Sequence, residues 1–424
     1  MQLHEISSDL PSAERGPMFP KSGGTVEAEV PFEFKDVFFS RTNEKGHIQF
    51  GNELFQRTCL YSWPELCGKP HNIVRHPDMP RAIFRILWDT IQKGEPACAY
   101  VKNRAKDGRY YWVLAIITPI PGGYLSVRIK PSSPLFELAK REYAPLAANE
   151  KKLCLKPVES ASRFLAKLEE LGFQDHGAFM ATALTEEITA RDQILGRASS
   201  SAALNFLALS KAAALLLKEA NAVYANYALH RNVPLNLRIQ AARLGSAGAS
   251  IAVISMSYDS ISKAINALMA RFIVAAQEVF SAINKGLFLC GTAQIQREMC
   301  ALFRSECSQK VEQANEIELL DQQLLSYEKS ATGSLRAIAV EAEHFNRFCA
   351  EIKRTAEGLE TIRIMGKVEY ARMETVDAGL IDLLGNLERY QEAITDGLQK
   401  MLTISQAIQR DSEIQLDSAR PEIK

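Results

Sequence analysis

Three β-type segments decide the fold: ACAYVKN at 97–103, YYWVLAIITP at 110–119 and GYLSVRIK at 123–130. They are rich in β-branched and aromatic residues, which favour strands. Short turns that contain glycine, Asp107-Gly108 and Pro121-Gly122-Gly123, separate them. Consecutive strands joined by such tight turns pair in the antiparallel sense. The three segments therefore predict an antiparallel sheet.

The residues before these segments predict two more strands and three helices. Short β runs at 37–40 and 47–50 flank the turn Asn43-Glu44-Lys45-Gly46 and predict a hairpin. The order β-β-α-α-α-β-β-β predicts an α+β domain over 31–133, with a five-stranded antiparallel sheet and flanking helices. The three helices are expected at 52–58, 64–66 and 81–93.

The remaining chain divides by composition. Residues 1–30 are polar and predict a flexible N-terminal segment. Prolines at 131, 134, 145 and 157 predict a linker over 134–157. From 158 to 409 the only proline is Pro234, and apolar residues recur with helical spacing. This pattern predicts a long all-α bundle or coiled coil over 158–424.

Two rows of apolar residues repeat every seven positions near the C-terminus. They predict long helices that pair either with helices of another chain or as a long antiparallel pair. The alternative is an ordinary amphipathic helix in a monomeric bundle. The phase continues across 366–373, which argues against a sharp turn there. The rows are Phe345, Ile352, Leu359, Met373, Leu380, Leu387, Ile394 and Met401, and Phe348, Thr355, Ile362, Val376, Leu383, Tyr390 and Ile404. Gly366 breaks the first row, and Glu369 and Gly397 break the second.

Composition excludes several classes of protein. The 424 residues carry 50 Lys and Arg against 50 Asp and Glu, so no basic field argues for nucleic acid. Eight cysteines without a CxxC pair predict reduced thiols in a cytoplasmic protein. The longest uncharged run, 110–127, is broken by a turn, so no transmembrane segment is expected, and no signal peptide is recognisable. No catalytic motif is present, which argues against an enzyme.

A longer motif is more specific. The run GKPHNIVRHPDMP at 68–80 accompanies NELF at 52–55, KGEP at 93–96, VKNR at 101–104 and DGRYYWV at 107–113. These segments closely resemble the PAS domain of the bacterial aerotaxis receptor family. The resemblance implies a non-covalently bound FAD that reports redox state, and it assigns FAD binding to Asn52, Arg75, His76, Asp78 and Trp88.

The chemistry of these side chains suits a flavin nucleotide. Arg75 and His76 place donors beside a proline-rich bend, as a pyrophosphate needs. We add Phe84 as a wall for a planar ring and Asn103 as a paired donor and acceptor for the ring edge. Alternatively, Asp78 would cap the helix that begins near residue 80, and Trp88 and His76 would be ordinary core residues.

PAS domains also hold two other kinds of cofactor. A haem would need an axial histidine, either His71 or His76. A covalently bound flavin would need a cysteine in a specific motif, and the context of Cys67 does not match it. The family's tryptophan after Gly-Glu-Pro is Ala97 here, which motivates the alternative of an empty pocket.

A second resemblance lies in the helical half, in LNLRIQAARLGSAGASIAVI at 235–254. It is similar to the hairpin tip of methyl-accepting chemotaxis proteins, which binds a coupling protein and a histidine kinase. Gly245 and Gly248 would allow the turn. Gln240 and Ser246 replace the family's glutamates, which weakens the case for kinase control. The matching positions are Leu235, Asn236, Ile239, Ala241, Ala242, Arg243, Gly245, Gly248, Ala252 and Val253.

Together these features predict a soluble cytoplasmic redox or oxygen sensor that signals through protein contacts and is not an enzyme. An FAD-binding PAS domain would be coupled to a chemoreceptor-like helical region, in a homodimer or higher oligomer. The alternative is an interaction scaffold with an empty or haem-binding PAS domain and a degenerate tip that does not control the kinase.

Overall fold

The computed structural model describes residues 26–306, 314–372 and 378–418. The described chain forms two compact units. The first comprises residues 26–204 and 287–330, and the second comprises 205–286 and 331–418. Most of the predicted flexible segment 1–30 lies outside the described residues, as do Met373 and Val376 of the seven-residue rows.

The first unit contains one five-stranded antiparallel sheet, as predicted. Its order is β2-β1-β5-β4-β3, so the hairpin β1–β2 joins the meander β3–β4–β5 through the pairing of β1 with β5. Ser40 lies opposite Ser126 across that pair. The strands are β1 (Phe38–Asn43), β2 (Ile48–Gly51), β3 (Ala97–Arg104), β4 (Tyr110–Ile120) and β5 (Gly123–Ile129).

The segment between β2 and β3 supplies the helices on the inner face of the sheet. The three predicted helices are present, and a short 3-10 helix (His71–Val74) lies between the second and third. They are α1 (Glu53–Cys59), α2 (Trp63–Leu66) and α3 (Arg81–Ile91). The chain from β1 to β5 is therefore the PAS fold that the element order predicts.

The predicted linker over 134–157 is mostly helical. Helix α4 (Pro134–Lys152) occupies it, followed by α5 (Pro157–Glu170) and α6 (His176–Ile194). Pro134 and Pro157 lie in the first turns of α4 and α5. The backbone N–H that proline lacks has no hydrogen-bond partner within the helix at these positions, so proline costs no hydrogen bond there. Two of the four prolines that predicted a linker therefore begin helices, Pro145 lies inside α4, and Pro131 precedes that helix.

Helices α4 and α5 hold α3 by its N-terminus. The buried Glu150 carboxylate of α4 accepts hydrogen bonds from the backbone N–H groups of Arg81 (2.7 Å) and Ala82 (2.9 Å) and from the Ser160 hydroxyl of α5 (2.7 Å). The first N–H groups of a helix lack partners within it and carry partial positive charge. Glu150 therefore caps α3 from a distance of 69 residues along the chain.

Five long helices follow: α7 (Ser201–His230), α8 (Val233–Arg243), α9 (Ala249–Glu306), α10 (Ala314–Ala371) and α11 (Ala378–Ser418). The boundary between the units falls within α7, α9 and α10. The ends of α9 and α10 that belong to the first unit pack against the sheet. The Phe303 ring of α9 lies 5.3 Å from the Phe39 ring of β1, and Gln323 of α10 donates to the Pro119 carbonyl of β4 (3.0 Å).

Two buried charges of α6 join these parts of the first unit. Glu187 accepts from the Tyr100 hydroxyl of β3 (2.9 Å) and from the backbone N–H groups of Ser132 and Ser133 (2.6 and 3.0 Å). Arg191 donates to the Phe34 carbonyl (2.6 Å) and pairs with Glu298 of α9 (2.7 Å). Helix α6 therefore connects β3, the segment after β5 and α9.

In the second unit α7, α8 and α9 form an antiparallel hairpin. The Ser210 hydroxyl donates to the Asn284 side chain (2.8 Å), and nearer the turn the Ser255 hydroxyl donates to the Pro234 carbonyl. The turn lies at 244–248, inside the stretch that resembles a chemoreceptor tip. Gly245 has a φ of +59°, and a Cβ on Gly248 would lie 1.9 Å from the Ala241 carbonyl oxygen. Both glycines are thus required by the turn.

Helices α10 and α11 form a second antiparallel hairpin, which confirms the prediction of long antiparallel pairing. Arg363 of α10 bonds to Glu388 of α11 (2.5 Å), and the Ser405 hydroxyl of α11 donates to the Ala342 carbonyl of α10 (3.3 Å). The prediction that no sharp turn lies near 366–373 is wrong, because α10 ends at Ala371 and the chain reverses. A seven-residue row keeps its phase across two helices that face the same core.

The two hairpins together form a four-helix bundle within one chain. The rings of Phe272 on α9 and Phe345 on α10 lie 5.1 Å apart, and the rings of His230 on α7 and Tyr390 on α11 lie 5.2 Å apart. The described members of the first seven-residue row are fully buried: Phe345, Ile352, Leu359, Leu380, Leu387, Ile394 and Met401.

Two helical stretches are long and apolar enough to be candidates for crossing a membrane, by length and composition alone. They are Ser201–Arg243 and Ala249–Arg304, each with a window of mean hydropathy 1.3. The core helices of a soluble bundle pass the same test. Only 33% and 50% of these windows are buried, so much of their apolar surface lies outside the core.

Replacement of Glu150 by Ala should destabilise the first unit by about 1–3 kcal/mol, because it leaves two buried N–H groups of α3 without acceptors. All three tryptophans lie within 63–112, so urea unfolding followed by tryptophan fluorescence reports this unit. Glu137→Ala is the matched control, since this α4 carboxylate is exposed and pairs only with Lys140. Equal stability of the two variants would contradict the capping role.

Replacement of Gly248 by Ala should destabilise the second unit by about 1–3 kcal/mol, because the new Cβ overlaps the Ala241 carbonyl. Gly333→Ala is the control, since no atom lies within 4 Å of its Cβ position in α10, and it should stabilise the helix by about 0.5–1 kcal/mol. Far-ultraviolet circular dichroism during urea unfolding measures both. Equal effects would show that the turn does not need this glycine.

Candidate cofactor site

A cavity of about 170 Å³ lies inside the PAS fold. It is enclosed by the inner face of the sheet, by α3, and by the 3-10 helix with the residue after it. Most of the lining is apolar, from residues such as Leu87, Ile91, Val101, Ala115 and Ile117. A largely apolar cavity with a few polar groups is the usual form of a small-molecule site.

Four of the seven predicted cofactor residues line this cavity: Arg75, Phe84, Trp88 and Asn103. The Arg75 guanidinium lies 3.9 Å above the centre of the Phe84 ring and donates to the Met79 carbonyl (3.3 Å). Burial lowers the pKa of Arg75 to about 10, so it stays protonated at neutral pH. This arrangement presents a cation and an aromatic face together.

Aromatic side chains also mark the cavity mouth. The Trp88 ring meets the Tyr124 ring edge-on, with centroids 5.5 Å apart. A Cβ on Gly46, in the β1–β2 turn, would lie 3.5 Å from Trp88. The neighbouring Lys45 is exposed and is part of the lining. The mouth therefore combines two aromatic rings with one flexible cation.

Asn52, a predicted cofactor residue, does not line the cavity. Its side-chain oxygen accepts from the backbone N–H groups of Phe39 (3.2 Å) and Phe55 (3.3 Å), and its side-chain nitrogen donates to the Val37 carbonyl (3.2 Å). Asn52 is thus the N-cap of α1 and ties that helix to β1. Its position directly before Glu-Leu-Phe was the sequence signal for this role.

His76 and Asp78 also lie outside the cavity lining. The buried His76 Nδ1 accepts from the Asp78 backbone N–H (3.2 Å), and the Asp78 carboxylate bonds to Lys102 (3.0 Å). Burial lowers the pKa of His76 to about 4, which keeps it neutral. Asp78 does not cap α3 either, because Glu150 does. The three residues fix the 75–80 segment against β3.

Arg128, a residue that the sequence analysis missed, supplies the most unusual charge of the cavity. It is buried, and its guanidinium donates to the hydroxyl of Ser40 (3.0 Å), to the carbonyl of Ser126 (3.2 Å) and to Nε2 of His71 (2.7 Å). No carboxylate among the described residues pairs with it. Burial lowers the pKa of Arg128 to about 10, so it carries its charge at neutral pH.

His71, considered beforehand only as a haem ligand, is the neutral partner of Arg128. Burial, and next the charge of Arg128, lower the pKa of His71 to about 3. An arginine can only donate, so Nε2 of His71 accepts and its proton lies on Nδ1. The ring also stacks on Phe55, with centroids 5.8 Å apart. Since Nε2 is engaged, the arrangement does not favour iron ligation by His71.

Two polar groups of the lining lack partners. The Ser126 hydroxyl is buried without a hydrogen bond, and the Asn103 side chain makes none to any described residue. Unpaired buried polar groups are costly and call for a ligand or water. Strand alternation was the available signal, because Tyr124, Ser126 and Arg128 occupy every second position of β5.

The lowered pKa of His71 makes stability depend on pH. The unfolded chain takes up this proton near pH 6.5, whereas the folded chain does so only near pH 3. Neutral His71 therefore contributes to the free energy of unfolding above pH 6.5, and this contribution is lost as pH falls. The free energy of unfolding should decrease by about 2 kcal/mol between pH 7 and pH 5 for this reason. His71→Asn keeps an acceptor for Arg128 and should show that much less acid destabilisation by tryptophan fluorescence. An equal loss in both proteins would contradict this.

Comparisons with known proteins agree with this architecture. Residues 50–125 match the PAS fold family. The chain is 39% identical over 110 residues to the aerotaxis receptor of Escherichia coli (strain K12), which is 25% of this chain and 22% of that receptor. It is 27% identical over 115 residues to the nitrogen fixation regulatory protein of Klebsiella pneumoniae, which is 27% of this chain and 23% of that protein.

A solved structure, the light state of the blue-light photoreceptor Aureochrome1 LOV, aligns with 20% identity and a TM-score of 0.23, covering 24% of this chain and 88% of that one. The chain thus matches less than a quarter of the length of its curated relatives, which are by name a receptor and a regulatory protein. Within that part, this chain carries a PAS domain similar to the one in the aerotaxis receptor.

Proposed function

We propose that this protein is a cytoplasmic sensor whose PAS domain binds FAD and reports redox or oxygen status to the helical region. One observation carries the proposal: the protonated Arg128 lines an aromatic-walled cavity, and no carboxylate among the described residues pairs with it. A buried cation without a counter-charge is costly, and a ligand with electron-rich acceptors would offset that cost.

The residues of the cavity fit a flavin ring. Phe84 and Trp88 supply flat apolar surface, Asn103 and Ser126 supply unfilled hydrogen-bonding groups, and Arg128 supplies the charge. When bound, a flavin takes up electrons reversibly, and its charge and hydrogen bonding change with its redox state. A cavity of about 170 Å³ suits one ring system, so the rest of a dinucleotide would extend through the mouth.

The chain offers a path from the cavity to the helices. Arg128 and Ser126 lie on β5, and four residues after Arg128 the backbone N–H of Ser132 bonds to Glu187 of α6. Tyr100, next to the cavity residue Val101 on β3, bonds to the same carboxylate. We propose that a small shift of either strand is passed through Glu187 to α6.

We propose that the output is protein contact through the helical region. The chemotaxis coupling protein and a histidine kinase are the candidate partners, since the turn at 244–248 lies where the chemoreceptor resemblance expects one. Gln240 and Ser246 in place of glutamates favour a different contact chemistry at that turn. A homodimer stays a prediction, because the described members of the first seven-residue row are buried within one chain.

The absorbance spectrum of the full chain purified from cells tests the cofactor. We expect flavin bands and release of FAD on heating. A Soret band would show that the cofactor is haem and not flavin. A colourless protein that does not take up added FAD would favour the scaffold alternative.

Replacement of Arg128 by Gln tests the site itself. The variant should lose FAD or hold it with a midpoint potential lower by about 30 mV or more, because a buried cation favours added electrons. Arg109→Gln is the control, since Arg109 pairs with Asp107 in the β3–β4 turn away from the cavity. Full occupancy with an unchanged potential in the Arg128 variant would contradict the assignment.

A further inference from the structure

The two hairpins of the helical bundle differ in charge. Residues 205–286, which contain most of α7, α8 and part of α9, include 11 charged residues among 82. Residues 331–424, which contain most of α10 and α11, include 28 among 94. Both hairpins have one face in the same core, so the difference lies in their outer faces. A water-exposed helix face is ordinarily rich in charge.

Large apolar side chains occupy the outer face of the first hairpin. Leu229 of α7 is 80% exposed, and Val253 and Met256 of α9 are 65% and 60% exposed. Val274 of α9 is also exposed and lies 18 residues after Met256, a spacing that puts both side chains on one face of the helix. Exposed apolar side chains that share a helix face mark an interaction site.

The charges on this hairpin are mostly basic. It carries eight Lys and Arg against three Asp and Glu, a net charge of +5, whereas residues 331–424 carry twelve against sixteen. On α7, Lys211 and Lys218 are exposed and lie 18 and 11 residues before Leu229, spacings that put all three side chains on one face of the helix. Neither lysine forms an ion pair with a described residue. This face of α7 therefore carries an exposed apolar side chain and two cations without a described carboxylate partner.

We propose that the outer face of the α7–α9 hairpin docks on a membrane surface that contains anionic phospholipid. A helix face of apolar residues and lysines binds in the plane of such a surface, with its side chains at the headgroup level. The opposite face of the hairpin is committed to the bundle core, where Phe272 packs against Phe345 and His230 packs against Tyr390. The hairpin therefore lies on the membrane and does not cross it. Charge favours a lipid over a second copy, because a symmetric contact would bring the cations of both copies together.

Sedimentation of the full chain with vesicles tests this proposal. Vesicles of phosphatidylcholine with about one third phosphatidylglycerol should pull the protein down at low salt, and added salt should release it. Vesicles of phosphatidylcholine alone should bind at least about tenfold more weakly, since each lysine at an anionic surface contributes about fivefold. Equal binding to both vesicles, or to neither, would overturn the proposal.

Matched variants locate the surface. Leu229→Glu with Val274→Glu should abolish sedimentation, whereas Val340→Glu, at an exposed position of α10, should not. Lys211→Glu with Lys218→Glu should weaken binding at least tenfold, and Lys353→Glu on α10 should not. Because all these positions are exposed, circular dichroism should be unchanged. If the Leu229 and Val274 changes instead dissociate a dimer while the unaltered chain does not bind vesicles, a second copy covers this face and the proposal fails.

Discussion

The organisation of the first unit depends on one constraint: its sheet has to bury both faces. The inner face closes over the cavity with α1 and α3. The outer face and the β1–β2 edge present rings such as Trp112 and Phe39, which pack against Phe136 of α4 and Phe303 of α9. An apolar sheet face left open to water would cost far more than the net stability of a domain allows. The ends of the long helices are therefore part of the first unit, although they are remote in sequence.

Three buried charges serve this unit in different ways. Glu150 and Glu187 are surrounded by N–H and O–H donors, so each carboxylate is satisfied and fixes the elements that donate to it. Arg128 has neutral acceptors only, so its charge remains to be balanced. Glu150 and Glu187 organise the fold, whereas Arg128 makes the cavity positively charged. Burial alone does not distinguish a structural charge from a ligand-binding charge. The hydrogen-bond and charge partners of each side chain make that distinction.

The sequence predicted the PAS fold almost completely, because strand patterning and turns are local signals. Of the seven predicted cofactor residues, Arg75, Phe84, Trp88 and Asn103 line the cavity. The resemblance that assigned Arg75 and Trp88 also assigned Asn52, His76 and Asp78, whose backbone contacts could not be read from residue type. Glu150 and Arg128 were missed, since their roles depend on partners far away in the chain. The α10–α11 turn was missed for a related reason, because an apolar row records which face is buried and not the direction of the chain.

The covalent link between the two hairpins has a thermodynamic consequence. In a bundle assembled from separate subunits, folding and association are one equilibrium, and the core forms only above a certain concentration of subunits. Here α10 connects the α7–α9 hairpin to α11, so the second half of the core is always present at a fixed effective concentration. The bundle should therefore stay assembled at any concentration of the protein in the cell, even when only a few molecules are present.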